Sequence, residues 1–336
     1  MIITQKYNTV KDIDKEFIPS LEELLSNSIP TFQYITNHEE NAPDDINFAY
    51  YLFFGNQTNA PIGFAQLEMK NEKLIKPKLL KRIFKKKEEE QQYEKSVRWT
   101  IPGSLKEGLV FKPQYIKHAT ETAALILKDL TEREDILSQE VICSEAYNEI
   151  RTHHQLVNSK LTQRSTPDTL IKNQSDYQGF LGSLKDDIQL DIKKGWREVQ
   201  KNLNFKLGEY DSFKTSFEYK KNGAAQYKQL KNNPLLKSYL QEGNRVDFLT
   251  LETSEELKAL IIFVYGNNGN AFYDIILQDA EVPKVIPHQM AIIKFYEAQD
   301  ANRLHFAAEM EESNDLISLG YTVREQFLLS IQKSKL

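Results

Sequence analysis

The chain has 336 residues, of which 40% are apolar, 11% aromatic and 27% charged. That is ample for a core and long for one domain, so two domains are expected. A net charge of −5 argues against a surface given over wholly to nucleic acid, while leaving room for a local basic patch. The single cysteine, Cys143, excludes an internal disulfide framework, and the start carries no charged-then-apolar export pattern. The longest apolar run, near 259–265, is too short to cross a bilayer, so a soluble protein of a reducing, cytoplasmic compartment is expected.

Along the chain, DIDKEFIPSLEELLSNSIPTFQYI reads as helical, with Ile18, Leu21, Leu24 and Leu25 on one face, and NHEENAPDD follows as a polar loop. INFAYYLFFGN and PIGFAQLEM then make a strand pair across QTNA. KLIKPKLLKRIFKKK, from Lys73 to Lys87, holds eight Lys or Arg residues ahead of an EEE run and reads as an exposed insertion within 73–95. Such a segment suits an anionic membrane surface or the backbone of a transfer RNA, and equally a solvated basic face neutralised by the acids behind it. SVRWTIPG is a further strand. HATETAALILKDLTERED is a helix with Ala123, Leu125, Ile126 and Leu130 on its apolar face, and SQEVICSEAY a buried strand. Residues 150–175 lose periodicity and are expected to cross from a domain over 1–150 to a second over 151–336.

In the second half, Phe180, Leu181, Leu184, Ile188, Ile192, Trp196 and Val199 keep a helical repeat. NFKLGEY alternates as a strand and AAQYKQLKNNPLLKSYLQEG is helical. VDFLTLE, the hairpin LKALIIFVYGNNGNAFYDIIL, helix PHQMAIIKFYEAQD, strand RLHFAAE, short helix SNDLISLG and strand YTVREQFLLSI complete it. Each half thus reads as strands, hairpin, helix, strand: an α/β class with mixed sheets. His153 and His154 are adjacent and would point apart, and no HExxH or CxxC spacing suggests a metal.

This order resembles the GNAT acyltransferase fold, and two such units in one chain resemble the Fem-like aminoacyl and acyl transferases. The resemblance rests on FLGSLKDDIQLDIKKGWREVQ, on the pair LKALIIFVYG and NAFYDIIL, and on VIPHQMAIIKFYEAQDANRLHF with NDLISLGYTVREQFLLSI. In the first half it rests on PIGFAQLEM and element order. Two departures stand out. Gln189 falls where family members carry Arg, with only Lys193 keeping the second basic position, and neither half has the Arg/Gln-x-x-Gly-x-Gly/Ala pyrophosphate loop before its long helix.

The resemblance implies two GNAT-like units that move an acyl or aminoacyl group from an activated donor, acyl-CoA by preference, to a small-molecule or peptide amine, without a metal. In such a fold two parallel strands splay, the donor enters between them, and the next helix N-terminus faces its phosphates. By position it implies Asp274 or His305 as base and Tyr321 as acid. It sets Tyr273, His288 and Gln289 on the donor, Lys193 as an anion contact, and Trp99 and Gly103 at the equivalent place in the first half. Read from the residues alone, Tyr273 and His305 serve equally well as core side chains, and IPGSLKEG as a plain surface loop. Three alternatives stay open: aminoacyl-tRNA-dependent transfer in cell-wall peptide synthesis, a non-catalytic tandem binding protein, and an unrelated α/β protein with the same element order.

Overall fold

The computed structural model describes residues 2–25, 32–56, 58–74, 93–99, 108–144, 159–209, 230, 233, 236, 237, 240, 245–266, 269–307 and 314–332. The chain divides into two compact units, Met1–Arg164 with Glu325–Leu336, and Ser165–Arg324. The first contains β1 (Ile2–Tyr7), α1 (Ile18–Leu25), α2 (Phe32–Glu40), β2 (Ile46–Gly55), β3 (Pro61–Leu74), β4 (Tyr93–Trp99), β5 (Leu109–Phe111), α3 (Ile116–Glu132), β6 (Ile136–Ser144) and most of β7 (Ser159–Pro167). The second contains β8 (Leu170–Ile171), α4 (Tyr177–Ser183), α5 (Asp186–Asn202), β9 (Asn204–Glu209), β10 (Val246–Glu252), β11 (Leu257–Tyr265), β12 (Asn270–Gln278), α6 (Val285–Glu297), β13 (Arg303–Phe306) and α7 (Asn314–Ser318). The closing strand β14 (Val323–Gln332) begins there and ends in the first unit.

The sheet of the first unit runs β1-β2-β3-β4-β6-β14-β7, with β5 on β3. β2, between β1 and β3, is apolar on both faces, as a fully covered strand must be. Ala49, Tyr51 and Phe53 join Trp99, Val141 and α3 on one side, while Phe48, Tyr50, Leu52 and Phe54 join α1 and α2 on the other. Glu39 of α2 ties that second layer together, accepting from the Val10 N–H (2.8 Å), the Tyr50 hydroxyl (2.7 Å) and the Thr9 hydroxyl.

Several sequence expectations are corrected here. NHEE belongs to α2 and not to a loop. On α3, Leu125 is 68% exposed and Leu127 is buried with Ala123, Ile126 and Leu130. Positions 123, 126, 127 and 130 follow the helical spacing, whereas 125 lies two residues off it. The supposed irregular crossing contains strand β7. YTVREQFLLSI, read as the close of the second half, pairs through Gln326–Gln332 with Ser144–Ser138 of β6, so the division falls at 164/165 and 324/325 rather than at 150. The basic insertion beyond Leu74, the IPGSLKEG loop with Gly103, His153, His154 and most of AAQYKQLKNNPLLKSYLQEG lie outside the described residues.

The sheet of the second unit runs β8-β13-β12-β11-β10-β9. Phe180 of α4, Ile192 and Val199 of α5, and Ile286, Met290 and Phe295 of α6 pack together with Leu249, Ile261, Phe263 and Tyr273 from the sheet. Gly195 lets α5 close on α6: a Cβ there would sit 3.0 Å from Ile286 Cδ1. The long helix expected from Phe180 onward is broken at Leu184 and Lys185. Asp176 caps α4 by accepting the Gly179 N–H at 2.7 Å, and Gln189 Nε2 donates to the Leu184 carbonyl at 2.9 Å. The residue standing where an Arg was expected thus closes a helix junction. No helix among the described residues is long and apolar enough to cross a membrane.

Leu329 of β14 is fully buried in the core of the first unit. Leu329→Ala is expected to cost about 2–5 kcal/mol and to lower hydrogen-exchange protection in 138–144 while leaving 246–264 as in the wild type. Equal loss in both stretches would contradict the assignment of β14.

Candidate functional site

In the second unit, one strand pair is joined over a short length among the described residues. β12 and β13 run parallel and pair only through Asn270–Tyr273 with Arg303–Phe306, and the last bond is the Ala307 N–H to the Tyr273 carbonyl at 2.8 Å. β12 continues through Asp274–Gln278 without a parallel partner among the described residues. On its other edge it stays with β11, but the register shifts: Ile261 faces Ile275 and Leu260 faces Leu277, so Ile276 is a bulged residue. The described parallel pairing therefore ends at Tyr273 and Phe306, beside the bulge, and this end of the strand pair is the candidate slot.

Side-chain alternation assigns the residues around the slot to two faces. On the α6 face, the Tyr321 hydroxyl donates to the Tyr273 hydroxyl (3.3 Å), which sits 2.8 Å from His288 Nδ1. Phe306 packs on Tyr273 at 4.9 Å between ring centroids and edge-on to His288 at 5.2 Å. All three members of the relay are buried. With Tyr273 donating to Nδ1, His288 carries its proton on Nε2, which has no hydrogen-bond partner among the described residues. Burial lowers the His288 pKa to about 4, with the Asp315 carboxylate pulling weakly the other way, so its imidazole is neutral near pH 7. Burial likewise pushes Tyr273 and Tyr321 up, so both stay protonated.

On the opposite face, Asp274 is the first β12 residue past the last parallel pair. It is half-buried and accepts from Asn233 Nδ2 at 3.2 Å. Desolvation raises its pKa, opposed by Asn233 and the Ile275 backbone. His305 shares that face but is fully engaged. Its Nδ1 lies 3.2 Å from the Thr169 hydroxyl, its Nε2 lies 3.1 Å from Asn270 Oδ1, and its ring stacks on Phe272 at 5.1 Å. With both nitrogens committed, His305 braces β8, β12 and β13 and is withdrawn as a base.

The other expected residues do not converge on the slot. Gln289 is fully buried and accepts from the Tyr177 hydroxyl at 2.7 Å, while its Nε2 has no partner. Lys193 is exposed on α5 beside an apolar groove. Trp99 is fully buried in the core of the first unit, its Nε1 without a partner among the described residues. Asn233, Tyr177 and Thr169 escaped the sequence reading, because nothing in their spacing marks them. No group of three metal-ligating side chains converges among the described residues.

The start of α6, where a donor's phosphates would be expected, is unlike an anion cradle. Ile286 N–H is already bonded to the Pro283 carbonyl at 2.9 Å, and Pro287 has no N–H to offer. Ahead of it, Lys258 is held by Glu256, Asp279 and Glu281, each at 3.2 Å, leaving an acidic balance. Few free donors and surplus carboxylates disfavour a pyrophosphate.

The sequence matches no protein-family model and no curated protein. Solved structures do match. A tandem GNAT protein from the clavulanic acid biosynthesis pathway, determined without AcCoA, aligns over 99% of this chain and 98% of its own at 10% identity and TM-score 0.54. The chain has a tandem GNAT fold. A GCN5-related N-acetyltransferase from Sphaerobacter thermophilus aligns over 98% of this chain and 94% of its own, at 7% identity and TM-score 0.44. A conserved protein of unknown function from Bacteroides thetaiotaomicron aligns over 99% and 100%, at 9% and 0.44.

The His288 pKa sets a pH test. Between the ordinary value of 6.5 and about 4, the unfolded chain binds more protons than the folded one. The His288 contribution is therefore complete above pH 6.5 and is lost as pH falls toward 4, by roughly 3 kcal/mol in total. Urea midpoints measured from pH 7 to 4.5 should fall more steeply for the wild type than for His288→Asn. Parallel slopes would overturn the assignment.

Proposed function

We propose that the Ser165–Arg324 unit is an acyl-transfer module, moving an acyl group from an activated donor, a thioester of the acyl-CoA type, to an amine. The observation that supports this reading is that the described β12–β13 pairing ends at Tyr273 and Phe306, with titratable groups on both faces of β12 there. A carbonyl in the slot would meet the neutral imidazole of His288, whose Nε2–H is a donor to a developing oxyanion without a compensating charge change. Tyr273 holds the tautomer and Tyr321 orients Tyr273. Asp274, its pKa raised by desolvation, takes a proton from the attacking amine on the other face. The donor is read as gripped by its acyl and thioester portion at β12, since the start of α6 offers its phosphates little.

A second reading has its own support. Tyr273 and Phe306 fill the base of the slot, and the carboxylates before α6 repel phosphates; both suit a tandem protein that binds a ligand without turning it over. The aminoacyl-tRNA alternative draws no such support from the described residues.

The test is turnover of acetyl-CoA and S-acetyl-pantetheine with a panel of primary amines, followed as thiol release. Under the transfer reading His288→Ala lowers kcat by about 10²–10³ and Asp274→Asn by about 10²–10⁴, while His305→Gln stays within roughly threefold, as expected of a residue that only braces strands. Absence of thiol release with every amine, together with a ligand-induced rise in Tm, would favour the binding reading.

A further inference from the structure

Away from the slot, the second unit has an unexplained groove of about 450 Å³ between α4, α5, β9 and α6, within the roughly 300–1,000 Å³ range of small-molecule sites. Its walls are mainly apolar, from Leu181, Trp196, Leu203, Phe205 and Ile293, with the exposed amides of Gln178 and Gln200 at the edge. Phe205 is left 43% exposed and meets Trp196 edge-on at 6.1 Å.

The polar groups are arranged unequally. On the floor, the Tyr177 hydroxyl donates to Gln289 Oε1 and also interacts with the Trp196 side chain, so it has no capacity left for a ligand. At the rim, Lys193 and Arg197 are one helical turn apart on α5, both exposed, and neither is in an ion pair among the described residues. No Asp or Glu lines the groove among the described residues. By contrast, the neighbouring Lys194, outside the groove, faces Asp191 at 3.9 Å.

We propose that this groove binds an aliphatic carboxylate, its chain lying along Trp196 and Phe205 and its single negative head held between Lys193 and Arg197. A saturated polar floor requires a tail without polar groups, because any buried polar atom there would go unpaired. Two cations without acidic neighbours require a negative head. A neutral alcohol of equal length fits the walls but wastes the rim, and a cationic amphiphile is repelled by it. The proposal is independent of acyl transfer and stands or falls separately from it.

Calorimetric titration of the full-length protein with decanoate, held below its micelle-forming concentration, tests this. Saturable binding with one site is expected, with affinity at least tenfold weaker for decanol and absent for decyltrimethylammonium. The double variant Lys193→Gln, Arg197→Gln should lose at least tenfold for decanoate and little for decanol. Trp196 supplies a second readout, because Trp99, the other tryptophan, is fully buried in the first unit: decanoate should change the emission of the wild type and leave Trp196→Phe unaltered. No saturable decanoate binding, equal affinity for decanol, or an unaffected double variant would each overturn the proposal.

Discussion

The candidate site depends on where one short run of parallel pairing stops. Because the described β12–β13 pairing ends at Tyr273 and Phe306, Tyr273 is the last paired side chain held between strand and helix and Asp274 the first beyond it. Strand alternation then does the sorting: the neutral relay falls on the α6 face and the carboxylate on the other. A register slip of a single residue would exchange these environments, moving a carboxylate toward the apolar core and an aromatic toward the opening. The deep burial of Ala271, Tyr273 and Leu304 makes such a slip costly, so the fold's own packing holds the chemistry in register.

The unit treats its buried polar groups in two ways. Asp247 is almost fully buried, yet it is compensated by Lys294 at 3.0 Å, the Tyr265 hydroxyl at 2.8 Å and Arg245 at 3.2 Å. That network is satisfied and reads as structural, binding β10, β11 and α6 together. Gln289 and His288, on the same helix, each keep a nitrogen without a protein partner among the described residues. Native interiors leave few such atoms, which is why the contrast along α6 singles out its first turns rather than its middle.

Much of the fold was legible in the sequence because its central strands are strongly apolar. VDFLTLE and LKALIIFVY are covered on both sides, as is AFY at the start of β12, and cannot be mistaken for surface. β7 was missed for the opposite reason: SKLTQRSTP has no alternating pattern and is a strand only through its neighbour β14. The destination of β14 could not be read either, since FLLSI declares a buried strand without naming the sheet that buries it. At the site, His288 and Tyr321 were proposed from their places around a helix start and a glycine turn, and the Tyr273 hydroxyl, which touches both, could not be tied to them by spacing. The partners of His305, Thr169 and Asn270, are 136 and 35 residues away, and such distant bonding of a ring leaves no local trace.

The route of β14 has a consequence for biosynthesis. Residues 325–332 complete the first sheet, but the ribosome makes them only after the whole of Ser165–Arg324. Until then the β6 edge, with Val141 and Ile142 along it, lacks its antiparallel neighbour, and an uncovered edge is a template for misassociation. The N-terminal half of the nascent chain therefore cannot complete its sheet until residues 325–332 have been made, although nearly all the rest of that sheet is synthesised before Ser165–Arg324 begins.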